Sequence, residues 1–465
     1  MKRLGIAILL CLAFVTSAMA QQNLRTGYFL NGYTYKHRLN PAFGSDRGYF
    51  AIPVLGYTSA GVETNLAMSS FLYPSGRGSL ITFLDKSIKS EDFLKNFLPN
   101  NPLAANVDLA LFSLGFNAGK SFNTIEVSLK ADVRANLPGS FFAWTKEFGD
   151  NLDISQLGFN ADSRAEIAYG HSRSIGHKFR IGFKLKVLAG IAKGDYTMDK
   201  LTLDVSGQDW HVTSKGYGHL VGPGITLETG SEGDITGINI PTDPSDITSN
   251  LKNFGFAADL GASYDIFNWL TVSASVRDLG FIKWNDVYFL GSDEARLDYE
   301  GMGAEGGINL IEDIGSIGEE LLSFIYPKMK SSGETFIDKL SLTSHIGVET
   351  RIPSYQNLSF GLLGTYRLDG PYSGWEARAS INFAPIRWFS ITGNYAHSTY
   401  GGSYGAAFNL YLGCLNLFAG VDSFKPLLNM TPQYIPIDSM NTNLALGLNI
   451  AFGKYHGRFP KKSKD

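Results

Sequence analysis

Residues 441–453, NTNLALGLNIAFG, alternate without a slip over ten positions. Leu444, Leu446, Leu448, Ile450 and Phe452 share one face, and Asn443, Ala445, Gly447, Asn449 and Ala451 share the other. A period of two describes a strand with one apolar and one polar flank. About 9–11 tilted residues cross a bilayer, and an aromatic near the end suits an interfacial girdle. One such segment describes a strand over a soluble core equally well, so recurrence has to decide.

The pattern recurs along most of the chain. Ile125, Val127, Leu129, Ala131 and Val133 alternate with Glu126, Ser128, Lys130, Asp132 and Arg134. Ala165, Ile167 and Tyr169 oppose Arg164 and Glu166, and Phe179 to Val187 alternate with Arg180, Lys184 and Lys186. Leu270, Val272, Ala274 and Val276 oppose Thr271, Ser273, Ser275 and Arg277; Ala377, Ala379, Ile381 and Phe383 oppose Glu376, Arg378, Ser380 and Asn382. Val107, Leu109 and Leu111 begin the series, and segments near 340–351, 357–367, 387–396, 402–411 and 414–422 extend it. The count comes to about fourteen strands.

Stranding a single charge in a dry core costs several kcal/mol. Glu126, Lys130, Asp132, Arg134, Lys184, Lys186, Arg277, Glu376 and Arg378 therefore need water or one another. A soluble sandwich with these flanks outward is one solution. An all-β, transmembrane, antiparallel up-and-down barrel with lipid outside and these residues facing a wet lumen is the other. The residues could line a channel as a ladder of cross-strand pairs or fill the lumen as structural salt bridges.

Several further features fit the barrel. Residues 1–20 carry a Lys2-Arg3 head, an apolar run from Leu4 to Val15 and an Ala18-Met19-Ala20 cleavage pattern, which predicts a signal peptide removed on export. Beyond it Cys414 is the lone cysteine, so no internal disulfide is available. No later run approaches the ~18 apolar residues of a spanning helix, although 44% of the chain is hydrophobic, so apolar residues are dispersed over many short segments. The 52 glycines and 22 tyrosines suit twisted strands and interfacial rings. A net charge of −3 gives no footing for nucleic acid.

The expected organisation is a signal peptide (1–20), an N-terminal hatch (21–60), a barrel (61–455) and a basic tail (456–465). Asn40-Pro41 has turn chemistry. Helical spacing or composition predicts short helices over 85–98, 138–148 and 309–328, and residues 194–253 are expected to form a long outer loop. The eight histidines include no H-E-x-x-H pattern or Cys/His cluster, so no metal is expected. His397-Ser398 and Asp162-Ser163 supply hydrolase residue types without a constellation. No nucleotide loop is present. No catalytic residue and no cofactor is expected.

Asn40-Pro41-Ala42, followed within twenty residues by a hydrophobic strand, resembles the opening of barrels in the long-chain fatty acid transporter superfamily. The stretches LNPAF…YFAIPVLGYTSAGVETNLAMSSFLYP and NVDLALFSLGFNAGKSFNTIEVSLKADVRANLP more closely resemble an uncharacterised Bacteroidetes outer-membrane family. The resemblance implies a fourteen-stranded barrel whose N-terminal segment folds into the lumen as a hatch. It also implies passive transport or hand-over of a hydrophobic, lipid-like small molecule by a protein surrounded by outer-membrane lipid. The superfamily includes the barrel that shuttles cargo in type IX secretion, so a non-conducting barrel with a secretion or surface-attachment partner is the alternative.

Overall fold

The computed structural model describes residues 23–75, 79–147, 151–204, 209–231, 233–240, 252–292, 295–300, 327–425 and 437–455. The predicted signal peptide and the 456–465 tail lie outside these residues. So does the expected 309–328 helix, except at its end, where Lys328 opens a strand.

Fourteen antiparallel strands close into a barrel. In chain order they are β1 (Gly48–Ala51 continuing as Thr58–Thr64), β2 (Asn100–Ala118), β3 (Ser121–Pro138), β4 (Gly158–Ile175), β5 (Phe179–Asp204), β6 (Asn253–Phe267) and β7 (Leu270–Gly291). The second half is β8 (Leu342–Ile352), β9 (Tyr355–Leu368), β10 (Gly374–Ile386), β11 (Phe389–Ser398), β12 (Gly401–Leu412), β13 (Leu415–Val421) and β14 (Met440–Phe452). Closure is direct, with Tyr49 opposite Ala451 and Thr58 opposite Leu446, so neither terminal strand leaves an open edge. One end carries the short turns at 119–120, 176–178, 268–269, 353–354, 387–388 and 413–414; the other carries the long connections.

The alternation sets which flank faces out. Ile167, Leu185, Ile346, Leu362, Ile381 and Leu444 are exposed on the outside, while Glu126, Lys130, Lys184, Arg277 and Arg378 are buried inside. This is a soluble protein turned inside out, and it suits a hydrocarbon surround.

Three sequence expectations need correction. The expected N-terminal segment runs to 60, whereas the wall begins at Gly48, and β1 is interrupted at 52–57. There Pro53, Val54 and Leu55 bulge outward, with Val54 at a φ of 64°. Pro and Gly in an apolar run look like loop, yet Val54 N still donates to Ala110 O and Leu448 N to Leu55 O. Second, much of 194–253 is not loop. The distal part of β5 pairs with Asp209–Val221, which pairs with Ala295–Glu300 and the end of β7. Tyr196, Met198, Leu201 and Val212 form a buried cluster within this raised sheet. Third, the helix expected over 85–98 contracts to Ser90–Leu94, because Asp85 accepts from the amide and hydroxyl of Ser87 and holds a turn. Its Phe93 stacks on Phe83 of the preceding turn at 4.4 Å, and Phe97, just past its end, stacks on Phe142 of the helix Gly139–Glu147 at 3.9 Å.

Candidate functional site

Residues 23–47 thread the bore. The segment makes two short 3-10 turns, Arg25–Gly27 and Thr34–Arg38, and buries Leu24, Tyr28, Leu30, Tyr33, Tyr35 and Leu39. Its own short turns satisfy part of its backbone. The bonds it makes to the wall all use a side chain on at least one partner, among the described residues.

Two arginines anchor it. Arg25 Nη1 lies 3.3 Å from Glu376 and 3.6 Å from Glu63, its Nε lies 3.5 Å from Asp422, and its Nη2 donates to Asn441 Oδ1 at 2.8 Å. The Thr26 amide and hydroxyl each donate to Asp422 at 2.7 Å. Across the bore, Arg38 donates to Glu126 at 2.9 Å and to Asp108 at 3.0 Å, with its guanidinium 4.2 Å from the centre of the Tyr57 ring. Removing one partner of such buried pairs typically costs about 3–5 kcal/mol.

The Asn40-Pro41-Ala42 turn is seated against two wall glycines. Asn40 Oδ1 accepts from the Ala42 amide at 2.9 Å, and its Nδ2 donates to the carbonyls of Ala262 at 3.3 Å and Ala274 at 3.1 Å. A Cβ on Gly261 would sit 2.1 Å from Asn40 Oδ1, and one on Gly182 would sit 2.1 Å from Pro41 O. The same relation recurs around the barrel, with Gly347 under Tyr28, Gly361 under Phe29, Gly405 under Thr26 and Gly420 under Leu24. These inward glycines let residues 23–47 lie directly on the wall backbone.

The inward charges form two groups. Lys130 pairs with Glu166 at 2.7 Å, Asp132 with Arg164 at 3.1 Å, and Lys186 with Asp259 at 2.7 Å and Asp278 at 2.5 Å. Lys184 bonds Glu126, and Arg277 lies 3.4 Å from Asp278. Arg134 reaches Asp162 at 3.0 Å and, from the far side, Asp369 at 2.5 Å. Separately, Arg378 pairs with Glu376 at 2.9 Å and donates to Thr26 at 3.0 Å, next to the Arg25 anchor. His37 Nε2 lies 2.8 Å from Tyr49 Oη, and burial holds its imidazole neutral, pushed down to about 3.

Sequence reasoning did not single out Arg25, Arg38, Glu63, Asp108, Asp259, Asp278 or Asp422. Asp108 sits between Val107 and Leu109 on the inward flank, so alternation could have found it. The two arginines lie in an aperiodic segment that offered no such signal.

Residues 23–47 separate two spaces. On the long-connection side a cavity of about 60 Å³, room for a water or two, is lined by Arg25, Glu63, Arg134, Arg277, His345 and Glu376, among others. On the short-turn side a vestibule of about 470 Å³ lies between Tyr28, Phe29, Tyr33 and Phe43 of the hatch and Arg180, Asp265, Glu349 and Arg351 of the wall. Among the described residues no group of three or more His, Cys, Asp or Glu side chains is placed to hold a metal.

A family model matches residues 41–422, most of the chain. The chain belongs to DUF5723, a family of unknown function. No curated protein matches it. Among solved structures, the Ralstonia pickettii toluene transporter TbuX is 8% identical, with 94% of this chain and 97% of that one covered and a TM-score of 0.42. The Pseudomonas putida toluene transporter TodX is 7% identical, covering 94% and 96%, with a TM-score of 0.40. A Pseudomonas aeruginosa FadL homologue is 9% identical, covering 94% and 100%, with a TM-score of 0.37. The barrel is established by the register of the DUF5723 chain's own strands.

Proposed function

We propose that the protein is an outer-membrane barrel that passes or hands over a hydrophobic or lipid-like molecule, with residues 23–47 as a hatch that closes it at rest. No bond is made or broken. The observation that carries this reading is how the hatch is docked. Its contacts with the wall run through side chains, so it can be displaced without opening the barrel's own ladder. The outward apolar flanks support the membrane location, and the cargo class follows the resemblance around Asn40-Pro41-Ala42.

Two observations favour the second reading, a non-conducting barrel serving a secretion or surface-attachment partner. Arg134–Asp369 ties β3 to the β9–β10 turn without the hatch, and the cavity above the hatch is charged rather than apolar. Single-channel recording in planar bilayers separates the two. The first reading expects a silent wild type and channel openings when Arg25→Gln and Arg38→Gln loosen the hatch. Silence of the double variant and of a chain lacking residues 21–47, both shown to be inserted, would leave the second reading standing.

A further inference from the structure

Both ends of the barrel carry exposed cations, and those at the short-turn end share one setting. At the long-connection end five lysines sit beside carboxylates, Lys95 2.8 Å from Asp92, Lys215 3.8 Å from Asp199, Lys252 2.8 Å from Asp286, Lys328 3.1 Å from Asp234 and Lys425 3.7 Å from Asp438, while exposed Lys86, Lys89, Lys283 and Lys339 form no ion pair with a described carboxylate. At the short-turn end, Lys120, Arg173, Lys178, Arg387 and Lys454 are all exposed. None of these five forms an ion pair with a described carboxylate. The described carboxylates nearby are less accessible and already engaged: Glu349 with Arg351, Asp265 with the Thr271 hydroxyl at 2.6 Å, and Asp46 with the Tyr455 hydroxyl.

The five cations also keep particular company. Lys178 precedes Phe179, Arg387 precedes Trp388 and lies 6.0 Å from the ring centre of Tyr455, and Lys454 follows Phe452 by two residues. Phe179, Trp388 and Phe452 are exposed, and so are Phe267 and Trp269, stacked at 5.2 Å on the neighbouring turn. Arg173 projects from the outward flank of β4, two residues beyond His171 and close to the turn. Aromatic rings settle at the level where acyl chains meet headgroups, and cations just beyond them meet phosphates. A collar for a soluble acidic partner would have no need of exposed aromatic rings one or two residues from its charges.

We propose that the short-turn rim is a binding collar for anionic phospholipid headgroups, whose phosphates complement Lys120, Arg173, Lys178, Arg387 and Lys454. The collar rests on the membrane-barrel reading above. It fixes which leaflet that rim occupies: the one that supplies anionic phospholipid.

The test uses the full mature chain in bilayers, with spin-labelled phosphatidylglycerol and phosphatidylcholine as probes of the lipid shell. Insertion is verified first by heat-modifiable gel migration. Each cation near an anionic surface contributes about fivefold to local headgroup binding, which diluted over a whole shell gives roughly a twofold preference for phosphatidylglycerol. The preference falls with added salt. It disappears in the variant carrying Lys120→Gln, Arg173→Gln, Lys178→Gln, Arg387→Gln and Lys454→Gln, whereas Lys95→Gln with Lys215→Gln and Lys252→Gln leaves it intact. An inserted wild type without preference, or a collar variant that keeps it, overturns the collar alone. Binding of a polyglutamate peptide to the wild type in phosphatidylcholine, abolished in the collar variant, would assign the rim to an acidic protein instead. A chain that does not insert overturns the collar and the membrane reading together.

Discussion

Gly261→Ala isolates the seating of the hatch from the integrity of the wall. The added Cβ would stand 2.1 Å from Asn40 Oδ1, 2.9 Å from Pro41 Cδ and 3.0 Å from the Ala42 amide nitrogen. Comfortable contacts begin near ~3.5 Å, so the turn has to retreat by roughly 1 Å or more. Asn40 Nδ2 reaches the wall carbonyls at 3.3 and 3.1 Å, and such a retreat takes both beyond hydrogen-bonding range. At ~1 kcal/mol each, two lost bonds weaken docking by ~2 kcal/mol, about thirtyfold. The wall has no reason to suffer, since alanine is at least as good as glycine in a strand. Gly393→Ala provides the control, because a Cβ there meets nothing within 4 Å. Hydrogen exchange of residues 23–47, read by mass spectrometry on the inserted protein, should quicken by about thirtyfold in Gly261→Ala and stay unchanged in Gly393→Ala. Equal protection in the wild type and Gly261→Ala would refute the seating argument.

Arg25→Gln leaves Glu63, Glu376 and Asp422 with only Arg367 and Arg378 between them among the described residues, so the same amides should exchange about a hundredfold faster, a cost of ~3 kcal/mol; an increase under threefold would count against the anchor. His37 is neutral when docked, held down to about 3 by burial, but protonates near ~6.5 once released. Its contribution to docking is complete above pH ~6.5 and drains away as the pH falls toward 3. The exchange profile of His37→Asn should therefore be flatter over that interval, and parallel profiles would contradict it. Cys414 is exposed on a short turn, so a membrane-impermeant maleimide should spare it in intact cells and label it once the outer membrane is permeabilised.

The barrel was legible wherever one flank meets lipid and the other the lumen. Ile125 to Arg134 shows this at its clearest, because each position must choose between two incompatible surroundings. The signal fades in the part of β5 beyond 193 and in Asp209–Val221, where pairing continues but the chain no longer separates lipid from lumen. It fails at 52–57, where a proline and a glycine in an apolar run mimic a loop although the strand resumes at Thr58. The charged lumen positions stood out as residues in need of partners, but the partners came from several strands away or from the hatch. Arg38 meeting Glu126 and Asp108, or Arg25 meeting Asp422, depends on how an aperiodic segment winds through the bore, which spacing alone does not encode.

The most direct test of the account places a spin label at each residue from Asn443 to Ile450 in turn and measures collisions with lipid-soluble oxygen and with a water-soluble nickel chelate. Leu444, Leu446, Leu448 and Ile450 should collide with oxygen, and Asn443, Ala445, Gly447 and Asn449 should be shielded from it, a strict period of two across the membrane. Loss of that period, or leucine positions that the nickel chelate reaches freely, would mean that these flanks face water or a second protein layer and that the barrel does not sit in lipid.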